Sequence, residues 1–366
     1  LACALGCAAN AATPMIRSLV SIPDVHGDLA RLQSAFQLAN LTDSRHAWRA
    51  PAGTVVVQTG DLVDRGDEIQ GIVAFLQAME DQAAAAGSVL HRLLGNHEIM
   101  SLMGDLRYVT RGDLASFGGH TARAAAFAQD GKIGAWLLRA RICVEVAGTV
   151  FVHAGIHPRY ASLGCDGINA RAAEELSRAV PRGGERRSFR SRSAMLEDQE
   201  GPVWYRGIAE SDDCSELQRS LSALRARRMV VGHTIQEHGK MRLRCGGALA
   251  LTDVGMTRGY DGMLGHANRV AVLHVLDQGP NGTTVPPHAE YLDGRMGRAV
   301  EELGAPQAVA PSIMGMRRNR RTTRTARRLR LAPGPGTGGE SMLEAHLPPG
   351  AIALGAAGDL MMGSPL

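Results

Sequence analysis

The sequence predicts an α/β layered sandwich. From Ile16 to about Leu276, short β-rich runs alternate with segments of helical spacing, and the second half then supplies several strands in succession. Composition agrees: of 366 residues, 45% are hydrophobic, 21% charged and only 4% aromatic. Such a chain builds its core from small aliphatics between regular elements, which excludes collagen, a coiled coil and a wholly disordered protein.

Taken in order, β-branched and aliphatic runs place strands at 18–22, 54–59, 89–94, 142–146, 150–153, 229–232, 248–252 and 270–275. Apolar residues at helical spacing place helices at 29–41, 67–86 and 121–139. Segment 164–200 is rich in Arg, Glu and Ser with few apolar positions, and reads as a helical or partly mobile insertion. The ordered domain is therefore expected over 16–300. After it, 301–366 carries an Arg-rich run and then a Gly/Pro-rich stretch, the composition of a disordered tail. Leu1–Ala12 is small and apolar, leaving open a targeting-peptide remnant or a plain terminus, so the compartment is not assigned. No stretch is long and apolar enough for a transmembrane helix.

The net charge of +4 invites a nucleic-acid reading until its location is considered. Eight arginines, from Arg317 to Arg330, lie in the tail, and removing those eight charges from +4 leaves −4 on the rest. No aromatics interleave with them to stack bases, so no specific nucleic-acid partner is expected. The six cysteines, Cys3, Cys7, Cys143, Cys165, Cys214 and Cys245, form no CxxC or zinc spacing and are expected as free thiols.

Polar clusters stand just after the predicted strands: Pro23-Asp24-Val25-His26-Gly27-Asp28, Gly60-Asp61-Leu62-Val63-Asp64-Arg65-Gly66 and Gly95-Asn96-His97-Glu98. Two more follow, Val152-His153-Ala154-Gly155 and Val231-Gly232-His233-Thr234. Five strand ends thus deliver Asp, Asn and His toward one edge, where α/β folds bind ligands. Carboxylate, amide oxygen and imidazole together suit borderline divalent metals such as Mn, Fe or Zn. Asp24 and His26, two residues apart, can share one ion; Asp61 can bridge, and Asn96, His153 and His233 can complete a second. Taken singly, these residues also fit helix caps or core histidines; the five-block pattern selects the ligand reading.

These blocks resemble the calcineurin-like metallophosphoesterase superfamily, whose motifs run GDxHG, GDxxDRG, GNHE, HAG and GH, with Pro23 here in place of the first glycine. Asp64-Arg65-Gly66 with Asn96-His97-Glu98 resembles its phosphoprotein phosphatases, although their SAPNY block is replaced by Leu251-Thr252-Asp253-Val254-Gly255-Met256. That ending, with Gly201-Pro202-Val203-Trp204-Tyr205-Arg206 and Asp105-Leu106-Arg107-Tyr108-Val109-Thr110, resembles the Shewanella-like protein phosphatases. The resemblance implies a four-layer α/β/β/α sandwich of two mixed β-sheets flanked by helices. It also implies a metal-dependent phosphatase acting on phosphorylated protein or peptide, with two divalent ions (Mn, Fe or Zn) and direct attack by a hydroxide bridging them.

In that scheme His97 is the general acid, Asp64 holds its imidazole, and Arg65, Arg206 and Asn96 bind the phosphate. Two alternatives stay open: a dinucleoside polyphosphate hydrolase, which shares the metal blocks, and a catalytically silent scaffold of the same fold. Asp253 reads either as a neighbour of the site or as a turn residue, His120 as a helix start or else a residue lining the substrate cleft, and His157 and His238 as surface or supporting residues.

Overall fold

Val55, Val56 and Val57 are all buried in the strand Thr54–Gln58, the mark of a parallel strand covered on both faces. The structure, a computed structural model, describes residues 15–183, 195–264, 269–278, 284–293 and 297–303. Its strands are β1 (Ser18–Ile22), β2 (Thr54–Gln58), β3 (Val89–Arg92), β4 (Cys143–Val146), β5 (Thr149–Val152) and β6 (Arg228–Val231). They continue with β7 (Arg242–Arg244), β8 (Leu249–Leu251), β9 (Val270–Gln278), β10 (Thr284–Val285), β11 (His288–Asp293) and β12 (Gly297–Glu302).

One mixed sheet has the order β12-β11-β9-β1-β2-β3, with β10 added on β9; the other runs β4-β5-β6-β8-β7. Within the first, β1, β2 and β3 are parallel, and within the second, β5, β6 and β8 are parallel. The helices Leu29–Leu38 and Ile69–Ala85 cover the first sheet, and Gly164–Ala179 packs on the second. The result is the expected four-layer α/β/β/α sandwich. Carboxyl ends of both parallel trios meet: the His233 amide, after β6, donates to Asp24 Oδ2, after β1, and His153 Nδ1, after β5, donates to the Thr59 carbonyl, after β2.

All eight predicted strands are present within a few residues, whereas β7, β10, β11 and β12 were not expected. The helix expected over 121–139 is two, His120–Phe127 and Lys132–Leu137. Gly131 and Gly134 explain the break, because a Cβ at either would collide with the carbonyls of Ala125 to Ala128 as the chain doubles back. In the expected insertion, Gly164–Ala179 is an amphipathic helix burying Ile168, Ala172, Leu176 and Ala179. Residues 184–194, the expected tail beyond 303, and Leu1–Ala12 lie outside the described residues.

The free-thiol expectation fails for four cysteines. Cys143 is bonded to Cys165 and Cys214 to Cys245, with Cα separations of 5.5 and 5.7 Å, inside the range a disulfide needs. Sequence separations of 22 and 31 residues carry no sign of this proximity, which the fold alone creates. One bridge ties β4 to the helix Gly164–Ala179; the other ties the start of the helix Ser215–Leu224 to the turn after β7. Since each closes a loop in the unfolded chain, reduction is expected to lower unfolding stability by about 2–4 kcal/mol per bridge. Denaturant titrations with and without reductant measure this, and an unchanged midpoint would contradict it.

Candidate active site

The backbone at the strand ends is unusual before any side chain is considered. His26, Asp61, Asp64, Arg65 and His233 all have positive φ, from 44 to 68°, a left-handed conformation that costs non-glycine residues roughly 1–3 kcal/mol each. Surrounding structure must hold them there. Gly27 (φ 69°) and Gly66 lie back to back, and a Cβ on Gly27 would sit 2.5 Å from the Gly66 carbonyl carbon, so the first two loops lock together only with glycine at both places.

Glu98 supplies the main clamp, a role the sequence did not reveal. Fully buried, its carboxylate accepts from the amides of Asp61 (2.8 Å), Leu62 (2.7 Å), Val63 (3.1 Å) and Gly95 (2.7 Å). Glu98→Ala leaves those donors unpaired, each a penalty of roughly 1–3 kcal/mol where water cannot enter. Loss of about 3 kcal/mol or more in chemical denaturation is the expected outcome; a change below about 1 kcal/mol would refute the clamp.

Asp61 occupies the centre. Its Oδ2 lies 3.4 Å from His153 Nε2, 3.5 Å from His26 Nε2 and 3.9 Å from His97 Nε2, while Oδ1 accepts from the His97 amide at 3.1 Å. Burial alone would raise this carboxyl, but the imidazoles of His153 and His97 outweigh it and hold the pKa well below the usual range. Ring orientation is fixed from behind: Nδ1 of His26 donates to the Val63 carbonyl (3.1 Å) and Nδ1 of His153 to that of Thr59 (2.9 Å). Both rings therefore turn Nε2 toward Asp61, the arrangement by which proteins orient metal-binding imidazoles. Asn96 Oδ1 is 2.9 Å, and His233 Nδ1 3.1 Å, from His153 Nε2.

Asp24 accepts the His233 amide on Oδ2 at 2.9 Å, but among the described residues its buried Oδ1 has no hydrogen-bond partner, nor has the buried Nε2 of His233. Burial and the nearby carboxylate of Asp253 push the Asp24 carboxyl well up. Asp253, likewise buried, rises to about 6, first through desolvation. It accepts the Gly255 amide at 2.8 Å, so it is both a turn residue and a neighbour of the site. The buried carboxylates of Asp24, Asp61 and Asp253 crowd together with ligand atoms that meet no protein partner among the described residues, a donor set whose chemistry suits cations. His26, Asp61 and His97 form one cation-sized group, and Asp61, His153 and His233 another, sharing Asp61. With Asp24 and Asn96 alongside, the donors of Asp61, His26, His153 and His233 fit two divalent ions.

His97 stands at the cleft side of this centre. Its Nδ1 is 2.7 Å from Asp64 Oδ2, and the fully buried Asp64 also accepts from Ser101 Oγ at 3.3 Å, with Arg123 3.6 Å away. Burial favours neutral His97, but Asp61 and Asp64 prevail and raise its pKa above the ordinary imidazole value.

A cleft of about 350 Å³ opens here, its lining including Arg65, Tyr108, Trp204, Arg206 and Tyr260. Arg65 lies between two rings, 4.7 Å from the Tyr108 centroid and 4.9 Å from that of Tyr260, which steers its guanidinium to the mouth. Arg206 is brought there as well, with Nη1 donating to the His233 carbonyl (2.8 Å) and Thr234 Oγ1 (3.0 Å). The aromatic pair that flanks Arg65 went unseen in the sequence, because it joins loops more than 150 residues apart. Elsewhere, His120 begins its helix as expected, and His157 pairs with Glu216 at 2.9 Å outside the cleft. His238 lies in the short turn Glu237–Gly239.

The family model described as Calcineurin-like phosphoesterase matches residues 18–237. An uncharacterised protein of Schizosaccharomyces pombe is 34% identical over 258 residues, 66% of this chain and 74% of that one. Shewanella-like protein phosphatase 2 of Arabidopsis thaliana is 32% identical over 289 residues, covering 66% and 72%. Among solved structures, a cold-active protein-tyrosine phosphatase of a psychrophilic Shewanella species superposes with a TM-score of 0.61 at 25% identity, over 78% of this chain and 81% of that one. With the motif order, the sandwich and the clustered donors, these likenesses settle the lineage: the chain belongs to the calcineurin-like phosphoesterase family, in its Shewanella-like protein phosphatase branch.

Proposed function

We propose that this protein is a metal-dependent phosphatase that removes phosphate from phosphorylated side chains of proteins or peptides. The observation that carries the reading is the juxtaposition, on one cleft wall, of the Asp61-centred donor set, the Asp64–His97 pair and Arg65. Asp24, His26, Asp61, Asn96, His153 and His233 would hold two divalent ions drawn from Mn, Fe or Zn, consistent with their mixed nitrogen and oxygen donors. When bound, such ions supply Lewis acidity and a water activated near neutral pH for in-line displacement at phosphorus.

The chain's own groups do the rest. Arg65, held between Tyr108 and Tyr260, offers a planar fork to two phosphate oxygens. Arg206 and Asn96 flank the same cleft and add donors. His97, protonated and oriented through Nδ1 by Asp64, gives its Nε2 proton to the departing serine, threonine or tyrosine oxygen. Similarity to a protein-tyrosine phosphatase structure and to a relative named as a protein phosphatase supports a protein substrate.

A panel of phosphotyrosine, phosphoserine and phosphothreonine peptides, with diadenosine tetraphosphate beside them, tests the substrate class in protein loaded separately with Mn, Fe or Zn. Phosphopeptide turnover with at least one metal is expected. Cleavage of the dinucleotide alone would move the assignment to a nucleotide hydrolase, and no turnover of any substrate would favour the silent scaffold.

A further inference from the structure

A third group of metal-type donors lies on the first sheet, away from the cleft. His274 of β9 stands directly opposite His288 of β11, and Glu290 is two residues further along β11. Side chains two apart on a strand share a face, so all three project together. Tyr291, next along the strand, points the other way, its hydroxyl accepting the Met241 amide beside the second sheet. The trio therefore occupies the outer face, on the side opposite the space between the sheets.

All three are buried there, His274 being only 6% exposed, and their ligand atoms lie within 4.8 Å of one another. The two imidazoles stack in parallel with centroids 4.6 Å apart. His274 Nε2 is 3.7 Å from Glu290 Oε2, and His288 Nε2 is 3.9 Å from Glu290 Oε1. His288 Nδ1 donates to the Pro286 carbonyl at 3.1 Å, which leaves Nε2 with its lone pair toward the group.

A plain ion pair accounts for only part of this. Arg298 already satisfies both oxygens of Glu290, at 2.8 and 2.7 Å. Among the described residues neither ring nitrogen of His274 has a hydrogen-bond partner, and 3.7 Å is too long for one to Glu290. A buried polar ring with both nitrogens idle costs stability unless a ligand meets it.

We propose that His274, His288 and Glu290 bind one divalent transition-metal ion of the Zn or Co type, separate from the pair at the cleft. Two imidazoles and a carboxylate are a common set for such ions, with water in the fourth position. The imidazole-to-Glu290 separations of 3.7 and 3.9 Å exceed those around a tetrahedral ion by roughly half an ångström, and the stacked rings tilt toward one another as they close on the ion. Arg298, its side chain 46% exposed, swings out to water as the ion takes over the neutralisation of Glu290. Bound there, the ion joins β9 to β11 and fastens the β11–β12 hairpin to the sheet.

The test uses the untagged full chain, stripped with chelator, loaded with Co(II) or Zn(II), and analysed for metal after gel filtration. Wild type is expected to hold one ion more per chain than His274→Gln or Glu290→Gln, with turnover of an aryl phosphate within about twofold in all three. Arg298→Gln removes the competing cation and is expected to tighten the additional ion at least tenfold, read by Co(II) absorption titration. Because Arg298 is half in solvent, this variant folds even where a core substitution does not. Equal metal content in wild type and the His274 and Glu290 variants, or no tightening in Arg298→Gln, overturns the proposal. Counting the difference keeps the result independent of how many ions the cleft itself holds.

Discussion

Asp61→Asn is expected to lower phosphate-ester turnover by about 10³-fold or more while leaving the fold intact. Asp61 Oδ2 lies 3.4 to 3.9 Å from the Nε2 atoms of three histidines, the place a shared ligand must occupy if two ions are held side by side. An amide of the same shape keeps the hydrogen bond from the His97 amide through its oxygen, so the loop should survive. What it lacks is the negative charge and the second lone-pair-bearing oxygen. Metal-ion catalysis contributes several kcal/mol of transition-state stabilisation, and each 1.36 kcal/mol is about tenfold in rate. Metal content and steady-state turnover measured together decide the matter: full activity in a folded variant would sink the two-metal reading, whereas loss of ions with loss of rate supports it.

How far the sequence could be read follows from where information sits along the chain. Ligands such as Asp24, Asn96 and His233 were visible because each follows a strand within four residues, and strands are local patterns. The sandwich was visible for the same reason. Glu98 was noticed as part of a motif, but its work depends on amides 35 to 37 residues away that face it only after the Asp61 loop turns left-handed. Disulfide partners and the Tyr108–Arg65–Tyr260 stack are likewise products of tertiary approach.

The missed strands have a different cause. β7 is three residues, Arg242-Leu243-Arg244, too short for periodicity to register. β11, His288–Asp293, alternates Ala289 and Tyr291 inward with His288 and Glu290 outward, so the period was present but hidden by polar residues that are themselves buried. The same buried polar residues form the proposed additional metal group, which fits the view that sequence patterns fail where function or strain intrudes.

His97→Ala is expected to reduce turnover of a phosphoserine peptide by roughly 10²–10⁴-fold, the usual worth of a positioned general acid. Hydrolysis of p-nitrophenyl phosphate should fall far less, because a nitrophenolate leaves without a proton and an alkoxide does not. Equal losses on both substrates would reassign His97 to binding or structure. The Asp64 contact predicts the pH dependence. A general acid must be protonated, so the rate falls as pH rises through the pKa of His97, which Asp61 and Asp64 raise above about 6.5 against the pull of burial. Cations in the cleft would offset the share due to Asp61, but Asp64, on the far side of the ring at 2.7 Å, keeps its own. Asp64→Asn removes that share, so the alkaline limb of kcat for the phosphoserine peptide should move to lower pH and the rate at neutral pH should drop. A limb that stays in place would show that the titrating group is not His97, and the proton donor would have to be sought elsewhere in the cleft.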